Sequence, residues 1–356
     1  MAAKDSLDIN PLTQKPYVGE WLPEFRGGFS NHLPMAVHAL DKLGASKELQ
    51  KAFSQHYQKR LEPIADSEDL ILNDWSEVNE YLGQGQHYLP LKRYFAQQIA
   101  NTSSQEVLET HLPYLIPGIG AAAFHGVIRL GHGIEAENSD EIASALAYWA
   151  MDFLPLSWPS KSSLSKENFA TTLSTCLTKV DWPKGRLGDF LITGDMKAVL
   201  DHPNFDQLVI QPSQEHLSLE DIESAVIDLY LATKDFAILH GVTGCYGARV
   251  ILPYVQDPQQ LIGYLWQALI MVWLGKGMQG ADPTPHLQAA KEAPPWTEKE
   301  IAALAVQSMN DHTIKLTAAC LDMHRLTRNE HYLQAARREL AMDKSLPAEK
   351  RVGEYS

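Results

Sequence analysis

At 356 residues the chain exceeds the usual single-domain size of about 100–200, leaving room for one large domain or two fused halves. Apolar residues make up 45% and charged residues 21%, the profile of an ordinary soluble globular protein rather than a disordered or fibrous one. With 30 basic against 44 acidic side chains the net charge is −14, which argues against nucleic acid or an anionic membrane as a partner.

Residues 1–30 read as an N-terminal extension. Their start, MAAKDSLDIN, lacks the apolar core of a secretion signal. The three cysteines, Cys176, Cys245 and Cys320, are far apart and odd in number, without a CxxC pair. Both features set the expectation of a reduced, cytoplasmic protein.

Helical signals begin at Ser30-Asn31, a candidate N-cap before HLPMAVHALDKLG, where Pro34 is tolerable because it falls in the first turn. Gly44 stops that helix and Ser46 caps the next. Asp140 is expected to open EIASALAYWAMDFL, and Leu219-Glu220 a long helix ending at His240. Asp257-Pro258 should open QQLIGYLWQALIMVWLG, and a further run covers about Glu298 to Arg325. The most apolar stretch, Leu261 to Leu274, is too short to span a bilayer. Gln207 to Gln211 (QLVIQ) is the best strand candidate.

The fold expected is all-α: a multi-helix bundle forming one domain over residues 31–342, with an irregular insert at about 155–215 and a C-terminal tail at 343–356. The Pro-rich stretch Gly280 to Trp296 reads as a surface excursion. A faint internal echo links NHLPMAVHAL, AAFHGVIRLGHGI, AILHGVTGCYGAR and DHTIKLTAAC, each a His near a helix start with a second helix after it. Duplicated helical hairpins around a central histidine-rich site would produce that pattern, and so would chance.

Of 14 histidines, four lie on apolar faces of separate helices: His32, His125, His240 and His312. Lys315 follows His312 by three residues on a helix that is apolar nearly all round. An imidazole hydrogen-bonded in the core accounts for any one of them, since an unpaired buried polar group costs about 1–3 kcal/mol. Four together point instead to a metal held by inward-facing side chains, because imidazole suits iron, zinc, copper and nickel. Lys315 is either a snorkelling cation or a buried amine that serves as base or nucleophile, or that adds carbon dioxide to become a carbamate oxygen ligand. Arg129 and His132, beyond His125 on its helix, are carried with Lys315 as candidate catalytic residues; for Arg129 an internal salt bridge competes. GIGAAA (Gly118 to Ala123) matches a dinucleotide-binding pattern, but Pro113 and Pro117 spoil the strand it needs, and close helix packing explains it better. Trp149, Trp266 and Trp273 fit the core or the wall of an aromatic pocket.

NHLPMAVHALDKLGAS, PGIGAAAFHGVIRLGHGIE, FAILHGVTGCYGARVILP and DHTIKL resemble the questin oxidase-like family. The likeness runs from about residue 30 to 340 and falls on Asn31-His32-Leu33, His125, His240, and His312 with Lys315. It implies an oxygen-using oxidoreductase that opens polycyclic aromatic or quinone-like rings in a Baeyer–Villiger-like manner. It further implies Fe(II) at a histidine-rich centre, with NADPH as a further cofactor in some members. The partners expected are then an aromatic small molecule and O2, without nucleic acid or membrane, and a homo-oligomer is compatible. The four histidines and Lys315 would be the metal ligands. Two other readings stay open: a metal-independent, NADPH-dependent oxidoreductase, and a non-enzymatic helical protein that binds haem or an aromatic ligand.

Overall fold

The computed structural model describes residues 21–64, 69–160, 165–177, 180–189, 191–211, 218–278 and 296–348. The described residues contain fifteen α-helices and one two-stranded hairpin, so the protein is all-α as expected. The hairpin pairs β1 (Glu24–Phe25) with β2 (Phe29–Ser30) around a left-handed turn at Arg26, Gly27 and Gly28. The helices are α1 (Leu33–Lys42), α2 (Lys47–Tyr57), α3 (Trp75–Glu80), α4 (Tyr88–Asn101), α5 (Ser104–Leu115), α6 (His125–Glu135), α7 (Ser139–Met151) and α8 (Phe169–Thr175). They continue with α9 (Ile192–Leu200), α10 (Leu219–Thr233), α11 (Phe236–Ile251), α12 (Pro258–Gly275), α13 (Glu298–Ala305), α14 (Asp311–Thr327) and α15 (His331–Met342).

Four of these helices build the centre. α1 packs on α6, α6 on α11, α11 on α14 and α14 back on α1, which closes a ring. All four run in the same sense: His32 meets His125 and Asp311 at one end, while Lys42 meets Glu135 and Asp322 at the other. Each inner helix is followed in sequence by a helix packed against it: α2, α7, α12 and α15. The four echoed segments of the sequence are therefore the four inner helices, and the hairpins they begin are repeated in space.

Close approach inside the ring depends on small residues. A Cβ on Gly247 of α11 would lie 2.7 Å from the Val127 carbonyl oxygen of α6, and one on Gly131 would lie 3.2 Å from the Gly247 Cα. Outside the ring, apolar faces bury one continuous core that includes Trp149 and Trp266, each 0% exposed, and Trp273. Burial of this kind contributes about 25 cal/mol per Å2 of apolar surface removed from water.

Several boundaries differ from the sequence expectation. The run from Leu219 to His240 is two helices: Thr233 ends α10, Lys234 turns left-handed, and the Asp235 carboxylate accepts from the Ala237 and Ile238 amides to start α11. His240 thus opens a helix rather than ending one. The run from Glu298 to Arg325 also breaks, at 306–310, where Asn310 caps α14. Asn138, not Asp140, caps α7. At α1 the Asn31 side chain accepts from Leu33 N while His32 occupies the cap position itself. The strand expected at Gln207 to Gln211 is absent: Phe205–Gln207 is a 3-10 turn, and Ile210 instead gives its carbonyl to the Trp266 indole. The segment 279–295, read as a surface excursion, lies outside the described residues.

Residues 21–30 bridge to Pro63 through Trp21, and Phe25 joins a buried cluster with α1 and α2. The stretch 155–215 contains α8 and α9, and α9 packs on α12. No described helix is long and apolar enough to cross a membrane.

Candidate metal centre

Because the inner helices run in one sense, their N-terminal ends converge. His32 caps α1, His125 is the first residue of α6, His240 lies in the opening turns of α11, and His312 is the second residue of α14. Their rings form a closed quadrilateral, with centroids 4.5 Å apart for His32–His125, 4.8 Å for His125–His240, 5.1 Å for His240–His312 and 4.6 Å for His312–His32.

Each Nδ1 in the quadrilateral faces an acceptor. The Asp311 carboxylate takes His32 Nδ1 and, at 3.1 Å, His312 Nδ1. His125 Nδ1 donates to the Ala122 carbonyl at 2.5 Å and His240 Nδ1 to the Phe236 carbonyl at 2.7 Å. A hydrogen-bond acceptor at Nδ1 holds the proton there in His32, His125 and His240 and leaves their Nε2 lone pairs free, and Asp311 favours the same tautomer in His312. The Nε2 atoms of His125 and His312 are buried and have no partner. Two orphaned lone pairs in one buried cluster are the kind of unmet polar demand that native proteins rarely tolerate.

Charge acts in the same direction. Burial, then the Lys315 charge, pushes His32 and His240 down to about 3. His312 falls to about 3 through burial, against the pull of Asp311, and burial holds His125 well below its ordinary value. All four imidazoles are neutral at pH 7, the form that binds a metal. Asp311 is held ionised well below the usual carboxylate range: burial raises it, and the two imidazoles and Lys315 outweigh that rise. The convergent helix N-termini favour the same carboxylate.

Lys315 lies one turn deeper on α14, 2% exposed, and does not line the cavity described below. Burial lowers its amine to about 8, with Asp311 opposing the fall. Its charge bears on all four histidines and lowers each of them.

The turn that delivers His125 is strained. Ala122, Ala123 and Phe124 are consecutive non-glycine residues with φ of 47, 56 and 68°, and each left-handed residue costs on the order of 1–2 kcal/mol. Asp152 holds this turn open by accepting from Ala122 N, and the Trp149 indole donates to the Gly118 carbonyl at 2.9 Å. GIGAAA is thus a tight turn leading into His125, with none of the strand–turn–helix context of a dinucleotide site.

The histidines form the floor of a cavity of about 790 Å3. Its walls include Phe25, Phe29, Phe236, Tyr57, Glu24 and Asp152, with Arg60, Arg186, Lys197 and Lys276 around it. Phe236 meets His240 edge-on with centroids 4.6 Å apart and lies tilted 4.7 Å from His312, yet it is 54% exposed; Phe29 is 43% exposed. Glu24 accepts from the Tyr148 hydroxyl at 3.1 Å, and burial beside Asp152 raises it to about 7. The indoles of Trp149, Trp266 and Trp273 do not line this cavity and belong to the core.

Two of the expected catalytic residues lie elsewhere. Arg129 is 3% exposed and forks onto Glu141 through Nε at 2.5 Å and Nη2 at 3.1 Å, so its charge is spent within the fold. His132 pairs with His38 in a layer below Lys315. Neither lines the cavity. The residue missed in the sequence is Asp311. Its signal was the Asp-His doublet at a helix start, where an acidic residue also serves the helix dipole and so attracts no notice.

The all-α body thus sets four inward imidazoles at the floor of an aromatic-walled cavity. The chain belongs to the questin oxidase-like family, whose family model matches residues 29–320, nearly the whole helical body. Membership makes it an oxidoreductase of oxidase type. No curated protein matches the chain.

Proposed function

We propose that His32, His125, His240 and His312 hold a single non-haem iron, and that the protein is an O2-dependent oxygenase that opens a ring of a polycyclic aromatic or quinone-like substrate. One observation supports this above the rest: four neutral imidazoles with neighbouring ring centroids 4.5 to 5.1 Å apart line the floor of one cavity, and the Nε2 atoms of His125 and His312 are buried there with no protein partner. Neutral nitrogen donors of this kind suit Fe(II). Iron held there would supply the one-electron chemistry that O2 requires.

The rest of the reading falls to the chain's own residues. Asp311 orients His32 and His312 and offsets part of a cation's charge. Lys315, with an amine lowered to about 8, is neutral often enough near pH 7.5 to add carbon dioxide. Its nitrogen then bonds the carbon, one proton leaves, and the resulting carbamate offers an anionic oxygen donor. Phe29 and Phe236, exposed at the cavity, are placed to stack on a planar ring. Glu24 lines the cavity and keeps its proton up to about neutral pH, so it can serve as an acid towards a substrate carbonyl.

Anaerobic loading with Fe(II), followed by metal analysis and O2-uptake assays with hydroxylated anthraquinones, tests the reading. Wild type should hold an equivalent of iron that His240→Ala loses, and its activity should vanish on chelation. Activity that survives chelation and requires NADPH would overturn the iron assignment in favour of a metal-independent oxidoreductase.

A further inference from the structure

Below the four histidines, the same helices bring together a second set of ligand-type side chains. His38 of α1 and His132 of α6 approach with their Nδ1 atoms 2.9 Å apart and their rings nearly perpendicular at 86°. Glu135 follows His132 by three residues, on the same helix face. A nitrogen from each imidazole and an oxygen of Glu135 all lie within 4.8 Å of one another. Glu135 Oε1 accepts from Lys42 Nζ at 2.6 Å and from the Tyr246 hydroxyl at 2.5 Å, which fixes the carboxylate plane. Its Oε2 is buried without a partner.

We propose that His38, His132 and Glu135 form a second site for a divalent first-row transition ion, distinct from the four-histidine centre. The donor set is two imidazoles and one carboxylate, a combination that recurs at iron and zinc centres. Two nitrogens each about 2.0–2.1 Å from one ion at a right angle stand roughly 2.9 Å apart, the separation found here. Metal binding asks little of the protein: the proton shared between the two Nδ1 atoms moves to Nε2 of its own ring, and no charge need be removed. Tyr246 and Lys42 already orient Glu135 as outer partners orient metal ligands elsewhere.

The local charge admits a cation. Glu135 and Asp322 both contact Lys42, and Asp322 and Glu298 share Arg325, so three carboxylates face two cations, while Asp41 pairs with Lys47. Lys315 faces His132 from above, where Asp311 offsets it. His38 lies six residues beyond His32 on α1 and His132 seven beyond His125 on α6, so at 1.5 Å per residue the two sites are about 10 Å apart.

The proposal stands apart from the iron reading, and equilibrium dialysis of chelator-treated full-length protein against Co(II) alone separates the two. Wild type should bind two equivalents; His132→Gln and Glu135→Gln should each lose one and keep the other, while His240→Ala loses the opposite one. Glu135→Gln is the safeguard against misfolding, because its side chain is 24% exposed. If His132→Gln and Glu135→Gln, folded by circular dichroism, bind as many equivalents as wild type, the second site does not exist. Wild type holding a single equivalent that His132→Gln removes and His240→Ala leaves would uphold this site and overturn the four-histidine centre.

Discussion

The two histidine layers differ in what lies above them rather than in how they are made. Both are buried, both draw on α1 and α6, and in both the imidazoles are pushed below their ordinary pKa by burial. The upper layer has its Nδ1 atoms tied to Asp311 or backbone carbonyls and its rings at the floor of a 790 Å3 cavity. The lower layer has its two Nδ1 atoms facing each other, and neither His38 nor His132 lines that cavity. Burial of polar groups marks where a fold concentrates demand for partners. Access to space for a substrate is what turns one layer into a reaction site.

The largest expected effect falls in the upper layer. His240→Ala or His312→Ala should remove one equivalent of iron and with it O2 uptake; a variant that keeps wild-type iron content would show that its ring is only a core imidazole. Next comes Glu141→Gln, which leaves the buried Arg129 guanidinium without its charge partner. Breaking such a pair costs about 3–5 kcal/mol, so urea midpoints should fall sharply while kcat of the folded fraction stays near wild type. A collapse of kcat at unchanged stability would return Arg129 to the catalytic set.

Asp311→Asn keeps the side-chain shape and removes the charge that orients His32 and His312. Loss of such an orienting partner typically costs 10–100-fold in metal affinity, to be read in a competition titration against a chelator. The mirror change in the lower layer, Glu135→Gln, should leave that upper affinity within about 2-fold.

Acid sharpens the comparison further. His32, His240 and His312 are depressed in the folded state to about 3 from an ordinary 6.5. Each therefore contributes stability that is present above 6.5 and is lost as pH falls towards 3, at up to about 1.4 kcal/mol per pH unit. Metal-free protein should unfold more easily with each step below pH 6.5, and His240→Gln should make that slope shallower by about one histidine's share. The smallest effect belongs to Glu24, raised to about 7: its contribution is present at low pH and fades as pH rises from 4.5 through 7. Thermal midpoints of Glu24→Gln should fall less than those of wild type over that range.

Much of the centre was legible before any coordinates. Apolar periodicity put His32, His125, His240, His312 and Lys315 on interior faces; the four rings are neighbours, and Lys315 is buried on the same helix as His312. The helical class was equally legible, since caps and stops such as Gly44 after α1, Ser46 before α2 and Asp257 before α12 mark the helix ends. What escaped notice depends on three-dimensional register. That Asp311 would serve two histidines depends on α14 starting beside α1, and that His38 would meet His132 depends on α1 and α6 running in the same sense. The break at Lys234-Asp235 was missed because apolar residues on either side, Leu229 and Phe236, happen to preserve helical spacing across it. The left-handed run Ala122 to Phe124 left no trace at all, because alanine and phenylalanine do not ordinarily adopt that conformation.

The account rests on iron at the quadrilateral. An anomalous difference map at the iron edge, from crystals of full-length protein loaded anaerobically with Fe(II), tests that directly. It should show a peak within bonding distance of Nε2 of His32, His125, His240 and His312; an ordered wild-type centre with no anomalous density among those four rings would contradict it.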